Sequence, residues 1–313
     1  MNQAKPLYNI ANLPDRKTLD KVTSALRSAD LSKVSYQKVL YSLMNDLRFI
    51  PFVTAKLKAG HHIERARINV PNQVFYSEKE ISYRNDFQNI KRYGRANSPG
   101  QSLFYGAVKT ENIKHPRIIN LLETSEMFRS ADRKCDAEFV MTVGKWRIKE
   151  DFEVIESVFN KHNIETIPQI KQSYEYHLNN LKAEMPDRID DIEFLLEFFS
   201  DEFAKKAIKS DDDYKISVAY TDLAMNFLKA AGVAYPSVRT DYQGFNVALD
   251  IHAVENFLEL EVVAMFKIYK KGDQTFMDNL AYATDLGDMK SNFKWIDIKG
   301  TPEEVINELL LKS

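Results

Sequence analysis

The chain has 313 residues, of which 44% are hydrophobic and 28% charged, with a formal net charge of −2. That length allows one large or two ordinary domains with a sizeable core, and the composition excludes a fibrous or low-complexity chain. A single cysteine, Cys135, excludes an internal disulfide and a cysteine-based metal site, which fits a reducing cytoplasm.

The small net charge hides an asymmetry. Residues 1–150 hold 26 basic and 15 acidic side chains, a balance of +11, whereas residues 151–313 hold 17 and 30, a balance of −13. The first half suits an anionic ligand, and the two halves suit each other. The opening "MNQAKPLYNIANLPDRK" lacks a signal peptide's apolar core, and no apolar run reaches membrane-spanning length.

In chain order, Leu19, Val22 and Leu26 give residues 14–30 a helical period, and Val39, Leu40, Leu43 and Leu47 do so for 35–50, before Pro51. These define an N-terminal helical segment over 1–58, closed by Lys58-Ala59-Gly60. From 63 to 107 the pattern turns to short strands and loops. Residues 117–129 return to helical spacing through Ile118, Leu121, Leu122 and Met127. The spacing of Phe152, Ile155, Val158 and Phe159, then of Phe194, Leu195, Phe198, Phe199 and Phe203, predicts helices across about 150–208. "SDDDY" at 210–214 reads as a turn feeding a helix that Gly232 stops. Strand language follows in "VAYPSV", "FNVALDI", "ELEVVAMFKIYKK" and "FKWIDIK", and a helix capped by Thr301 with Pro302 at its first position ends the chain. The order helical, β-rich, helical, β-rich predicts an α+β fold.

Several chemistries are absent. The six histidines are scattered, and the adjacent His61-His62 pair cannot both face one metal from a regular element, so no metal is expected. The glycines between Gly94 and Gly106 have neither dinucleotide-fingerprint nor P-loop spacing, and there is no Gly-x-Ser-x-Gly elbow. Two polar segments remain. Residues 63–107 carry Arg65, Arg67, Arg92 and Arg95 among Tyr76, Tyr83, Tyr93 and Tyr105, and residues 235–249 place Pro236-Ser237 across a strand. Guanidinium forks suit pyrophosphate and tyrosines offer faces to a ring, so these residues point to a phosphate-bearing aromatic ligand.

"ERAR" at 64–67, "YGRANSPGQSLFYGA" at 93–107, "NLLE" at 120–123 and "GVAYPSVRTDYQGFNVAL" at 232–249 together resemble the RES domain. That family includes bacterial toxins that degrade NAD and are usually encoded beside an antitoxin. The similarity spans roughly 60–130 and 210–270, under half the chain. Ala96 departs from the tryptophan that many members carry, and the stretch from Tyr105 to Glu123 is longer than usual.

The resemblance implies an α+β fold with a split β core like that of ADP-ribosylating toxins, with added N-terminal and central helical segments. It implies a RES-like domain over 59–313 with a helical insertion at about 150–208. NAD would be a substrate, no metal would be required, and an antitoxin or immunity protein would be a partner. Arg65 matches the first family arginine, with Arg67 the other claimant; Arg95 matches the arginine of the glycine turn, and Tyr105 the tyrosine after it. Glu123 matches the glutamate, with Glu126 the other claimant, and Ser237 matches the serine. Glu123, Arg65 and Ser237 would be catalytic, and Arg95, Tyr105 and Arg67 would hold NAD. The expected reaction is cleavage of the nicotinamide–ribose bond, as a glycohydrolase or phosphorylase. The alternatives are an ADP-ribosyltransferase acting on a macromolecule and a non-catalytic nucleotide-binding or interaction module. Direct nucleic-acid binding by the basic half is the weakest reading, because the second half is acidic.

Overall fold

The computed structural model describes residues 9–125, 128, 136–272, 274–286 and 292–298. Ten strands form one sheet in the order β1-β5-β6-β7-β3-β2-β4-β8-β9-β10. They are β1 (Thr54–Leu57), β2 (His62–Asn69), β3 (Phe104–Val108), β4 (Ala137–Ile148), β5 (Phe152–Glu156), β6 (Gly232–Pro236), β7 (Phe245–Leu249), β8 (Leu258–Lys271), β9 (Gln274–Thr284) and β10 (Lys294–Asp297). Pairing is antiparallel except between β5 and β6. The fold is therefore mixed α+β with a mostly antiparallel sheet. Among the described residues no helix is long and apolar enough to cross a membrane.

Helices cover both faces unevenly. Helix α1 (Arg16–Ser28) starts at Asp15, whose carboxylate accepts the Thr18 N–H at 2.8 Å. Helix α2 (Tyr36–Tyr41) runs into a π-helical turn over Ser42–Leu47, and Arg48 ends it in the left-handed region at φ 57°. With α5 (Lys161–Thr166), α6 (Pro168–Glu184), α7 (Ile189–Phe203) and α8 (Lys215–Phe227), these helices bury Leu19, Leu43, Leu195, Phe199 and Tyr220 against Ile155, Val233, Tyr235 and Ala248 of the sheet. The opposite face packs Phe104, Trp146, Val154 and Val247 with α3 (Glu78–Ile81) and α9 (Ile251–Phe257). Helix α4 (Arg117–Thr124) covers a third cluster of Ala66, Met141, Val143, Phe266 and Ile268.

Three expectations are corrected. Residues 152–156 form a strand, because both sheet faces are covered there: Phe152 and Val154 enter one cluster and Ile155 the other, which mimics a helical period. Helices begin only at Lys161, behind the N-cap Asn160. Residues 54–57 are a strand paired with β5, so the helical run of the N-terminal segment stops at Leu47 rather than near 58. Gly232 does not stop α8, which ends at Phe227 with Lys229 left-handed at φ 55°. It opens β6 instead, where a Cβ would lie 2.1 Å from the Ala248 carbonyl oxygen. Strands β4 and β9 lie where the sequence reading places no element. Glu126, Met127 and the 301–313 helix lie outside the described residues.

Candidate active site

The sheet has a seam. Strands β3 and β2 pair only at Ile63↔Val108 and Glu64↔Ala107, although β2 pairs with β4 along its whole length. Beyond Glu64, side chains replace the ladder. Asn120 Nδ2 donates to the Glu64 carbonyl at 2.8 Å, and Arg65 Nη1 donates to the Tyr105 carbonyl at 2.6 Å. Buried backbone acceptors must find donors, and here α4 and the arginine supply them.

Helix α4 lies along this seam. Its first N–H, that of Arg117, donates to Glu64 Oε2 at 2.6 Å, and Arg117 Nη2 reaches Glu64 Oε1 at 3.2 Å. A carboxylate at a helix N-terminus meets unpaired N–H groups and the positive end of the helix dipole. At the other end, Glu123 Oε1 accepts from Ser237 Oγ at 2.7 Å and from Asn246 Nδ2 at 3.3 Å. Ser237 is completely buried, just past the end of β6, and Asn246 is buried on β7 opposite Tyr235. Glu123 Oε2 accepts no hydrogen bond among the described residues, so one carboxylate oxygen is held and the other is available.

The glycine turn presents Tyr105. Its hydroxyl donates to Asn97 Oδ1 at 2.7 Å and accepts the Ala96 N–H at 3.1 Å. A Cβ on Gly94 would stand 2.3 Å from Asn97 Oδ1 and 3.0 Å from the Tyr105 hydroxyl, so the turn closes only around glycine. Asp222 of α8 anchors the turn, accepting from Gln101 Nε2 at 3.3 Å and from the Tyr36 hydroxyl. Burial pushes the Tyr105 hydroxyl up in pKa, and likewise Tyr235, where nearby Tyr105 and Glu123 add to the effect. Tyr235 thus lies within electrostatic reach of Tyr105, Glu123, Arg95 and Tyr214.

The two leading arginines are partly committed to backbone. Arg65 Nε donates to the carbonyls of Ile81 and Ser82 at 3.2 and 3.0 Å, and its guanidinium stacks over Phe104. Burial lowers its pKa to about 10, with Arg67 adding to the shift, so it stays cationic at neutral pH. Arg95 Nη1 donates to the carbonyls of Phe203 and Lys205, at the C-terminal end of α7, and the guanidinium stacks over Tyr214. Arg67, on the same strand face as Arg65, donates to the Glu80 carbonyl and packs over Phe75.

A cavity of about 580 Å³ opens beside the turn, lined by Arg65 and Tyr105 together with Arg84, Lys91, Arg92 and Tyr93. Among the described residues no carboxylate lines it. Arg95, Arg67, Glu123 and Ser237 are not among its lining residues; Arg95 acts electrostatically on both Tyr105 and Tyr235, and Glu123 on Tyr235. The structure therefore joins Glu123 to Ser237 directly and Arg65 to the Tyr105 backbone directly, and among the described residues no hydrogen bond links the two pairs. Sequence reasoning missed Asn246, Asn97 and Tyr235; a polar Asn at an inward position of the apolar strand "FNVAL" is the signal that could have found the first. Among the described residues no three His, Cys, Asp or Glu side chains are placed to hold a metal ion. Comparison with protein-family models and with curated proteins finds no match to the chain.

Proposed function

We propose that the chain is a toxin-like, NAD-consuming enzyme with the split β core of ADP-ribosylating toxins, acting in the cytoplasm and restrained by a protein partner. The observation that carries this reading is the 2.7 Å contact of Ser237 with Glu123, residues 114 apart in sequence and each matching its own RES motif. In the proposed reaction the bond between the nicotinamide nitrogen and ribose C1′ breaks, both electrons leave with nicotinamide, and nicotinamide departs neutral. Water, giving up one proton to solvent, or phosphate then adds to C1′, giving a glycohydrolase or a phosphorylase; a macromolecular acceptor that likewise loses a proton would give an ADP-ribosyltransferase.

The departing group leaves an oxocarbenium-like ribose, which a fixed carboxylate stabilises. Glu123 Oε2 is the atom available for that work, while Ser237 and Asn246 fix the carboxylate through Oε1. Arg65, with Arg92 and Lys91 in the same cavity, supplies positive charge for the pyrophosphate. Tyr105 offers a ring face. Incubating the purified full chain with NAD and identifying the products tests the reading; NAD left intact by stoichiometric folded protein would defeat it.

A second reading, a nucleotide-binding module without catalysis, is favoured by one observation. Arg65 and Arg95 already spend donors on backbone carbonyls, as structural arginines do. It predicts NAD binding without nicotinamide release.

A further inference from the structure

A second basin, of about 670 Å³, lies at the start of β2, lined by residues from the β1–β2 turn, the β3–α4 loop and β4. It shares no lining residue with the Arg65–Tyr105 cavity. The two are entered from opposite faces of β2, since Glu64 lines one and its neighbour Arg65 the other.

The basin is cationic. Lys109, Lys114, Lys145 and Arg117 line it, along with the imidazoles of His61 and His115. Its one lining carboxylate, Glu64, is buried and taken up by the backbone N–H and Nη2 of Arg117. A third imidazole, His62, is paired with Glu261 at 2.6 Å. Lys109, Lys114 and Lys145 form no ion pair with any described residue. The Nε of Arg117 is buried without a hydrogen-bond partner among them. Glu111, in the same loop as Lys109 and Lys114, does not line the basin. Three lysines that line one concavity without acidic partners among the described residues draw an anion, and one that bridges them offsets their like charge. A short phosphate chain carries several charges along its length, which suits several cations spread over one basin of this size.

We propose that this basin binds an oligophosphate chain, free or as the polyphosphate of a nucleotide, at a site distinct from the cavity assigned above to NAD. The proposal does not depend on NAD cleavage. It gives the positive half of the chain a second, separate use.

Calorimetry of the full chain with inorganic tripolyphosphate tests it. A site that weakens as salt is raised is expected. Replacing Lys109, Lys114 and Lys145 together by Gln should remove this site and leave only what the Arg65 cavity binds, since each charge-assisted contact is worth roughly tenfold in affinity. Arg84→Gln, in the other cavity, should leave tripolyphosphate affinity unchanged. Should the triple variant fold poorly, acylation of Lys109 and Lys114 in the wild-type chain must be slowed by tripolyphosphate. Wild-type affinity in the triple variant, acylation that tripolyphosphate does not slow, or loss of binding in Arg84→Gln would overturn the proposal. So would capture of an oligonucleotide by a chain that ignores tripolyphosphate. Adenosine triphosphate binding tighter than tripolyphosphate supports a nucleotide source, and equal binding supports free oligophosphate.

Discussion

The strands on either side of the seam differ in how they are held. β5, β6, β7 and β3 are five residues each, come from distant parts of the chain, and include the parallel pair. β4, β8 and β9 run for 12, 14 and 11 residues and pair antiparallel in long ladders. Short strands with few ladder bonds depend on what packs over them, and six helices of the main core supply that cover. Long hairpin strands support one another. The helix-covered wing can hold a site because its loops and helix ends converge on the seam, where the missing ladder leaves room for Arg65, α4 and the glycine turn. The long-stranded wing serves as a platform.

The largest expected effect probes the chemistry at the seam. Glu123→Gln keeps the shape and the Ser237 contact but removes the charge. On the proposed function it should lower kcat for nicotinamide release by roughly 10²–10³, with KM nearly unchanged, the signature of an interaction made in the transition state. An unchanged kcat would assign Glu123 to structure alone. Next comes the cover over the short strands. Leu195 is fully buried on α7, and Leu195→Ala should cost about 2–5 kcal/mol in urea unfolding. The exposed Val262 on β8 is the contrasting position, and Val262→Thr should cost within about 0.5 kcal/mol.

The difference between the wings also governs what could be read from sequence. β3, β6, β7 and β8 were legible, because turn residues bound them and their apolar residues recur with the right spacing. β5 was not: burial on both faces gave Phe152, Ile155 and Val158 a helical spacing that only the partners β1 and β6 resolve. At the site, the motif residues were legible one by one. Their pairing was not, since the Glu123–Ser237 contact depends on α4 lying along a seam that no local pattern announces. Nor could the sequence say that Arg95 would cap α7.

The seam itself can be tested by its substitute for a ladder bond. Asn120→Ala leaves the Glu64 carbonyl without its donor in a buried setting, and should cost about 1–3 kcal/mol. If it costs nothing, β2 and β3 are held together by packing alone. The smallest effect is a pH dependence at the far edge of the short-stranded wing. The Ala59 N–H and the Lys58 ammonium hold the Asp151 carboxyl below the usual Asp range. A depressed carboxyl stabilises the fold above its unfolded pKa and loses that contribution as pH falls through the folded one. The stability difference between wild type and Asp151→Asn, measured by urea unfolding, should therefore be present at neutral pH and vanish in acid.

Lys215, at the start of α8, is buried, and its ammonium donates to the carbonyls of Leu31 and Val34 at 2.8 and 2.9 Å while pairing with Asp212 and lying over Tyr93. One cation thus ties the loop between α1 and α2 to the helix that anchors the glycine turn. A shortened chain starting near residue 59 would expose the apolar bed of α1 and α2 and strip that ammonium of two of its acceptors. Proteolysis between α1 and α2 would then register as a change at Tyr105, so residues 9–50 belong to the architecture of the site and not to its periphery.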